Sequence, residues 1–465
     1  MKKILFKLLT FALVISTVGL FACTANTGNS DDITDYTNYL EFNLLPDGTY
    51  SVGGKSGLDF VYIEKIEIPS TYNGKVVTQI VQDGFKGVTS LKEIVIPNSI
   101  TTIGEYAFYD CNNLIYNVKD GLKYIGNEEN KYLYLAAVVD TNITSATIDG
   151  NCRFIGEDVF DFCESLESVV MGNSVTTIGE NAFYYCKSLE SVVMGNSVTT
   201  IRREAFYGCE SLKEIEIPNS VTTIGDYAFE YCNNLKKVTI GDSVTTIGNS
   251  AFHNCISLES VVIPNGTTTI GSGAFEYCTS LESVVIPNSV TTIGNSAFNS
   301  CDNLTYNVQE GLKYLGNNEN KYLYLAGVVD KSKLTSATVL TACRFIGSLA
   351  FNDCYYLQSI VIGNNVTSIG NYAFSDCESL TSIKIPEGVT SIGNSAFIRC
   401  KGLISVEIPS TLTSIGNSAF VLCNGLTTIT YKGTKSEWDA VAKGTDWKLN
   451  VPATVVDCAD GNVAI

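Results

Sequence analysis

The feature that most restricts how this chain can fold is a cysteine that returns every 23 residues. It occurs at residues 163, 186, 209, 232, 255, 278 and 301, and again at 354, 377, 400 and 423. Phenylalanine keeps the same interval three residues earlier in each unit. A period of roughly 20–50 residues indicates stacked units, each of which buries its apolar face only against its neighbours.

One unit, SLESVVIPNSVTTIGNSAFNSC at residues 280–301, shows the physical role of each slot. Two short extended segments come first, and a proline or glycine ends the first of them. An AF pair and the cysteine that follows then predict one turn of α-helix or 3₁₀ helix that returns the chain beneath the sheet. The sequence therefore predicts an α/β repeat solenoid that is mostly β, with a parallel β-sheet on one face and short strands and helical turns on the other. The apolar slots are Leu281, Val284, Ile286, Val290, Ile293, Ala297, Phe298 and Cys301.

The cysteine slot is expected to be buried and to hold free thiols. Val88 fills it in the first unit, and a slot that accepts valine is apolar. Stacked coils lie about 4.8 Å apart with parallel side chains, whereas a disulfide needs converging Cβ atoms about 3.8 Å apart. Cys152 and Cys343 replace a valine of the second extended segment and should be buried as well. Cys458 lies outside this pattern.

Two near-identical segments interrupt the period, near residues 114–141 and 304–333. They contain YNVKDGLKYIGNEEN and YNVQEGLKYLGNNEN. Each reads as strand, turn and strand, which predicts a β-hairpin flap growing from the solenoid edge. The solenoid is predicted over residues 62–430, between an N-terminal capping hairpin at 39–61 and a C-terminal cap at 431–465.

The N-terminus predicts export and lipid anchoring. Residues 1–22 join a basic start to an apolar run, as in a signal peptide. The run ends in Leu-Phe-Ala followed by Cys23, which resembles a bacterial lipobox, and this resemblance implies a lipid on Cys23. Residues 23–38 are polar and acidic, which is typical of a flexible tether. We expect a bacterial surface protein that meets the membrane only through that lipid.

Composition limits the chemistry that the chain can perform. A net charge of −18 disfavours binding to nucleic acid, because phosphate backbones are repelled. The single histidine, His253, leaves little basis for a serine or cysteine nucleophile, and no CxxC pair points to zinc. His253 is expected to be an exposed variant of its repeat slot. We therefore expect no catalytic residue, no cofactor and no metal site.

The consensus LxxVxIPxxVxxIGxxAFxxC resembles the BspA-like class of bacterial leucine-rich repeats. The match covers roughly residues 60–430, and the YKGTKSEW segment and the two interruptions are also similar to features of that family. The resemblance implies a leucine-rich-repeat solenoid that is secreted or anchored at the surface. It also implies adhesion, since several members are associated with host matrix proteins or with other microbes.

The outward side chains of the LxxVxI strands are the leading candidates for a binding face. They form a column of valine beside a column of glutamate, interrupted by a lysine-rich centre, and exposed apolar stripes rimmed by charge are typical of interaction surfaces. The alternative is a plain soluble sheet, since valine and threonine favour strands and glutamate keeps them hydrated. The candidate positions are Glu167, Val170, Glu190, Val193, Lys213, Glu216, Lys236, Lys237, Thr239, Glu259, Val262, Glu282 and Val285.

Tyrosines in the two interruptions are a second candidate contact surface, because tyrosine is frequent at interface hot spots. The tyrosines concerned are Tyr124, Tyr132, Tyr134, Tyr314, Tyr322 and Tyr324.

Three classes of function are compatible with the repeat. The leading hypothesis is a surface protein that recognises host matrix or microbial surface proteins through its repeat face. A second is a structural spacer or antigenic decoy, which near-identical neighbours such as SLESVVMGNSVTTI at 165–178 and 188–201 also fit. An enzyme, such as a glycosidase with paired carboxylates, is disfavoured because the acidic residues fall on a regular exposed face.

Overall fold

Each repeat winds once around the solenoid and contributes one strand to each of two series. The computed structural model describes residues 36–57, 60 and 62–465. Between regular repeats, the paired coils of both series lie parallel at an offset of 23 residues, as between Val169 and Val192 in the first series and between Ile224 and Ile247 in the second. The predicted leucine-rich-repeat solenoid is confirmed, and it is mostly β.

The first series consists of the LxxVxI strands and carries the candidate binding face. Its strands are β3 (Lys65–Glu67), β6 (Glu93–Val95), β11 (Ser145–Thr147), β13 (Ser168–Val170), β15 (Ser191–Val193), β17 (Glu214–Ile217), β19 (Lys237–Ile240), β21 (Ser260–Val262), β23 (Ser283–Val285), β28 (Ser336–Thr338), β30 (Ser359–Val361), β32 (Ser382–Lys384), β34 (Ser405–Ile408), β36 (Thr428–Tyr431) and β38 (Val455–Cys458).

The second series consists mainly of two-residue strands, most of which directly precede the glycine of their unit. Its strands are β5 (Lys75–Ile80), β7 (Thr102–Ile103), β12 (Phe154–Ile155), β14 (Thr177–Ile178), β16 (Thr200–Ile201), β18 (Thr223–Ile224), β20 (Thr246–Ile247), β22 (Thr269–Ile270), β24 (Thr292–Ile293), β29 (Phe345–Ile346), β31 (Ser368–Ile369), β33 (Ser391–Ile392), β35 (Ser414–Ile415) and β37 (Ala442–Lys443).

The remaining elements form the ends and the two interruptions. They are a 3₁₀ turn (Thr37–Tyr39), β1 (Leu40–Leu44), β2 (Tyr50–Gly54), β4 (Thr71–Tyr72), β8 (Asn117–Lys119), β9 (Leu122–Ile125), β10 (Tyr134–Val138), β25 (Asn307–Gln309), β26 (Leu312–Leu315), β27 (Tyr324–Val328), α1 (Lys435–Ala440) and β39 (Gly461–Ala464).

The AF segments form the tight turns that return the chain beneath the sheet, without continuing into a regular helix. Alternate backbone N–H groups bond to the next coil, as from Phe183 to the carbonyl of Ala205 at 2.8 Å, and the N–H groups between them bond three residues back within the unit, as from Tyr184 to the carbonyl of Asn181 at 3.0 Å. Left-handed residues bracket the turn, with φ values of 53° at Asn181 and 49° at Tyr185. The segments thus keep the bonds of a tight 3₁₀-type turn, but they do not extend into a regular helix, because stacking supplies acceptors in the next coil for every other N–H group.

Phenylalanine and cysteine form two ladders in the core, and at each interruption the phenylalanine stack ends on a tyrosine ring, Phe108 on Tyr134 and Phe298 on Tyr324. The rings of Phe183 and Phe206 stack with centroids 4.9 Å apart and planes 5° apart. Most repeat thiols donate to a phenylalanine carbonyl of the preceding coil, as from Cys186 Sγ to Phe160 O at 3.2 Å. Burial raises the pKa of the Cys232 thiol, so this thiol stays protonated and unreactive in the folded chain.

Replacing Cys232 with valine should change the free energy of unfolding by less than about 1 kcal/mol, because Val88 shows that the slot accepts valine. Cys232→Asp, the matched control, should cost about 3 kcal/mol or more, since an unpaired carboxylate would enter a fully buried slot. Urea unfolding followed by circular dichroism measures both. Equal damage by valine and aspartate would mean that the sulfur does more than fill space.

The two interruptions are built into the solenoid and do not project from it as flaps. β9 and β10 pair antiparallel as a hairpin, and β10 then pairs parallel with β12 of the second series. β26 and β27 repeat this arrangement against β29. The predicted hairpins are therefore present, but the edge location was wrong, because pairing with the next coil satisfies the strand that a flap would leave open.

The two ends of the described chain carry different caps. At the N-terminal end, β1 and β2 pair antiparallel, and β2 pairs parallel with β5 of the second series. At the C-terminal end, Thr434 and Glu437 form a reciprocal capping box at the start of α1, and Trp438 is buried. Trp438 packs on Trp447 with ring centroids 5.8 Å apart. No helix in residues 36–57, 60 and 62–465 is long and apolar enough to cross a membrane.

Candidate functional site

The structure places the predicted binding residues on one exposed face, which we call the strand face. It comprises the outward side chains of β13, β15, β17, β19, β21 and β23 and of the residues just before each strand. Its four valines are between 41% and 65% exposed, whereas the alternate residue Val169 is completely buried. The strand face is formed by Glu167, Val170, Glu190, Val193, Lys213, Glu216, Lys236, Lys237, Thr239, Glu259, Val262, Glu282 and Val285.

A groove crosses the strand face at its lysine-rich centre. The strand ladder stops between β15 and β17, which belong to different sheets. Val192 is consequently half-buried, whereas Ile215 in the next coil is buried. The groove has a volume of about 660 Å³. It is lined by Glu190, Ser191, Val192, Val193, Lys213, Glu214, Ile215, Glu216, Lys236, Lys237 and Thr239.

The groove presents charges of both signs. Lys213 Nζ lies 3.2 Å from Glu190 Oε2 across the interrupted ladder, and both side chains are exposed. An exposed pair of this kind stabilises the fold by less than about 1 kcal/mol. Lys236 and Lys237 also line the groove, and within the described part of the chain neither has an ion-pair partner. These two ammonium groups are therefore available to carboxylates of another molecule.

A sequence signal marks where the ladder is interrupted. The slot after the first-series strand changes from Gly195 to Pro218 between β15 and β17. The same change, from Gly363 to Pro386, separates β30 from β32. A third change of this kind, from Gly241 to Pro264, lies between β19 and β21, where the strand pairing is reduced to Lys237 with Ser260. A proline ring needs more room between coils than glycine, so these steps indicate where coils separate.

The tyrosines of the interruptions do not form the predicted contact surface. Four of them, Tyr124, Tyr134, Tyr314 and Tyr324, are buried. Tyr132 and Tyr322 are half-buried and pack against the core. The prediction was wrong because the hairpins are part of the stack and their aromatic rings fill it.

The half-buried His253 also differs from its prediction. Its Nδ1 lies 2.7 Å from Glu230 Oε1, and its ring packs edge-on against Tyr277 at 5.5 Å. It is therefore held in the turn and not exposed. No group of three or more His, Cys, Asp or Glu residues that could hold a metal ion occurs in the part of the chain that the structure describes.

One buried ion pair was not anticipated from the sequence. Arg202 Nη1 lies 2.8 Å from Glu157 Oε1, and both side chains are mostly buried. The signal was present, because TTIRREAF places an arginine where the other units place glycine. An arginine in a slot that glycine fills in the neighbouring units indicates a specific partner.

The predicted signal segment 1–22, the lipidation site Cys23 and the tether as far as residue 35 lie outside the described residues.

Fold and face together define a leucine-rich-repeat solenoid with an open strand face. The family model described as "BspA type Leucine rich repeat region" matches in six copies, within residues 58–132, 131–258, 199–324 and 328–442. The chain therefore belongs to the BspA-type leucine-rich-repeat family. A comparison with curated proteins finds no match.

Two solved structures are similar to this chain. One is a leucine rich cell surface protein from Faecalibacterium prausnitzii, 27% identical, with 87% of this chain and 96% of that chain covered and a TM-score of 0.34. The other is a leucine-rich repeat protein from Bacteroides ovatus, 27% identical, with 88% and 98% covered and a TM-score of 0.41.

Proposed function

We propose that this protein is an exported, lipid-anchored surface protein that binds host matrix or microbial surface proteins through its strand face. The supporting observation is the groove at the lysine-rich centre, where two unpaired lysines lie beside exposed valine on an otherwise acidic face. Apolar area surrounded by charge, with an irregular hollow at its centre, suits recognition of another protein. Lipid at Cys23 would hold this face outside the cell.

Binding suits the groove better than catalysis does. Acid–base catalysis needs a carboxylate whose pKa is tuned by enclosure or by a close partner. Glu190, Glu214 and Glu216 are exposed to water, and so is the ion pair of Glu190 with Lys213, so none of them is enclosed. Hydrated carboxylates and mobile lysines instead favour selection of a partner by charge complementarity.

The lysines provide the direct test of this proposal. The lipid-free chain should bind immobilised matrix or microbial surface proteins saturably. Changing Lys213, Lys236 and Lys237 together to glutamate should weaken that binding at least about tenfold, because three attractive contacts become repulsive. Biolayer interferometry at two salt concentrations measures the affinity and its electrostatic part.

A matched control separates the groove from net charge. Changing the exposed residues Lys75, Lys321 and Lys331 to glutamate alters the total charge equally but leaves the groove unchanged. This control should retain the parent affinity. Equal weakening by both triple variants, or no saturable binding across a broad panel, would contradict the proposal and favour the spacer or decoy role.

A further inference from the structure

The two interruptions are near copies, but the junctions beside them are filled differently. In an ordinary coil, the second-series isoleucine carbonyl accepts a hydrogen bond from the glycine N–H of the next coil, as at Ile247 from Gly271 at 2.8 Å. β7 and β24 are the last second-series strands before each interruption, and each ends its sheet. We call the spaces beyond Ile103 and Ile293 the first and second wedge.

The first wedge is filled by the chain's own side chains. Arg202 Nη2 donates to the carbonyl of Ile103 at 2.5 Å, and Arg202 Nη1 donates to Glu157 Oε1 at 2.8 Å. The Tyr134 hydroxyl donates to the other oxygen of Glu157 at 3.0 Å. A guanidinium group thus takes the place of the missing backbone donor.

The second wedge lacks both of these charged residues. Aligning YNVKDG with YNVQEG and the two CRFIG segments matches Ile103 with Ile293, Tyr134 with Tyr324, Glu157 with Ser348 and Arg202 with Gly393. The second wedge contains a cavity of about 240 Å³, and its lining includes Ile293, Tyr324, Ser348 and Gly393.

Two polar atoms in the second wedge remain without a partner. Ser348 Oγ accepts from Ser296 N, and Asn295 Oδ1 accepts from Asn371 N, so part of the sheet edge is satisfied. Within the described residues, no donor reaches the Ile293 carbonyl and no group bonds the Tyr324 hydroxyl. Tyr324 is 97% buried, and it lines the cavity.

The exposure of Ile293 indicates that the second wedge is open. Its counterparts Ile247 and Ile270 are completely buried, and Ile103 beside the filled wedge is 4% exposed. Ile293 is only partly buried. A polar, roomy cavity beside unpaired acceptors is suited to a ligand that brings donors.

We propose that the second wedge binds the guanidinium group of an arginine side chain supplied by another molecule. In the first wedge a guanidinium group already bonds to the carbonyl of Ile103, the counterpart of Ile293. A planar guanidinium offers several donors in a fixed fork, so it can reach the Ile293 carbonyl and the Tyr324 oxygen together, whereas an ammonium is a compact point donor. The lining is neutral, so the affinity of a single arginine should be on the order of millimolar.

The test uses the folded chain and a blocked arginine, N-acetyl-arginine amide, followed by nuclear magnetic resonance titration. The parent chain should bind one equivalent saturably, and N-acetyl-lysine amide should bind at least about tenfold more weakly. Ser391 lines the second wedge, so S391M should abolish the site by filling it. The double variant E157S/R202G, which copies the second wedge into the first, should bind two equivalents.

Each outcome of this titration decides the proposal. Absence of saturable binding to the folded parent chain would mean that the cavity holds only water and would overturn it, as would binding unaffected by S391M. Separate titrations with a capped tripeptide that contains arginine and with agmatine distinguish binding of a protein side chain from binding of a free guanidino compound. The strand face is not involved, so K213E/K236E/K237E should bind the blocked arginine normally, which keeps this test separate from that of the proposed function.

Discussion

Replacing Phe229 with alanine should lower the free energy of unfolding by about 3–5 kcal/mol. Phe229 is completely buried, and its ring lies between those of Phe206 at 5.1 Å and Phe252 at 5.2 Å. Alanine would leave a void that the rigidly stacked coils cannot close. Urea unfolding followed by circular dichroism measures the loss.

Phe162 is the position for the matched control, because the same change from phenylalanine to alanine is made there on the surface. Its side chain is exposed, and it packs only at the edge of the turn against Tyr184 and Tyr185. Phe162→Ala should cost less than about 1 kcal/mol. If the two variants lost similar stability, the phenylalanine ladder would not be the core that the geometry indicates.

Replacing Arg202 with methionine should destabilise the fold by about 3–5 kcal/mol, because the change leaves Glu157 buried without its partner and Ile103 without a donor. The double variant E157Q/R202M should be less damaging than R202M, since no charge is then left unpaired. Thermal and urea unfolding of both variants test this order. A double variant as unstable as R202M would show that the pair is not coupled.

The loss caused by R202M should also depend on pH. Burial raises the pKa of Glu157, and Arg202 opposes that effect. Without the arginine, the folded state favours a protonated Glu157 more strongly. A carboxyl whose folded pKa is raised loses stabilisation as pH rises through that pKa. The defect should therefore be smallest in acid and grow toward neutral pH, whereas E157Q/R202M should show no such trend.

The repeat made most of the fold predictable. A cysteine slot that also accepts Val88 fixes one inward position, and the 23-residue step then assigns the rest of each coil. The AF turn was harder, because every other N–H group in it bonds to the next coil and a single unit does not contain those acceptors. The same limit applies to Tyr134, whose burial depends on a strand pairing that local sequence leaves open.

The candidate site was predictable in composition but not in shape. Exposed positions such as Lys236 and Val193 follow from strand alternation. The groove between β15 and β17 depends on how two coils separate, which a per-residue pattern does not report. The second wedge is open because Gly393 and Ser348 stand where the first wedge has Arg202 and Glu157. Only a comparison of the two wedges reveals this difference.

The cysteine ladder carries a consequence for biosynthesis. A wound coil shields its sulfur, but an emerging chain presents every thiol to any oxidant that it meets. During the export proposed above, folding of the coils would therefore compete with the formation of incorrect disulfides between their cysteines. Crosslinked, unwound chains would be the failed products of that competition, and fast growth of the stack from an early coil would be the chain's protection against it.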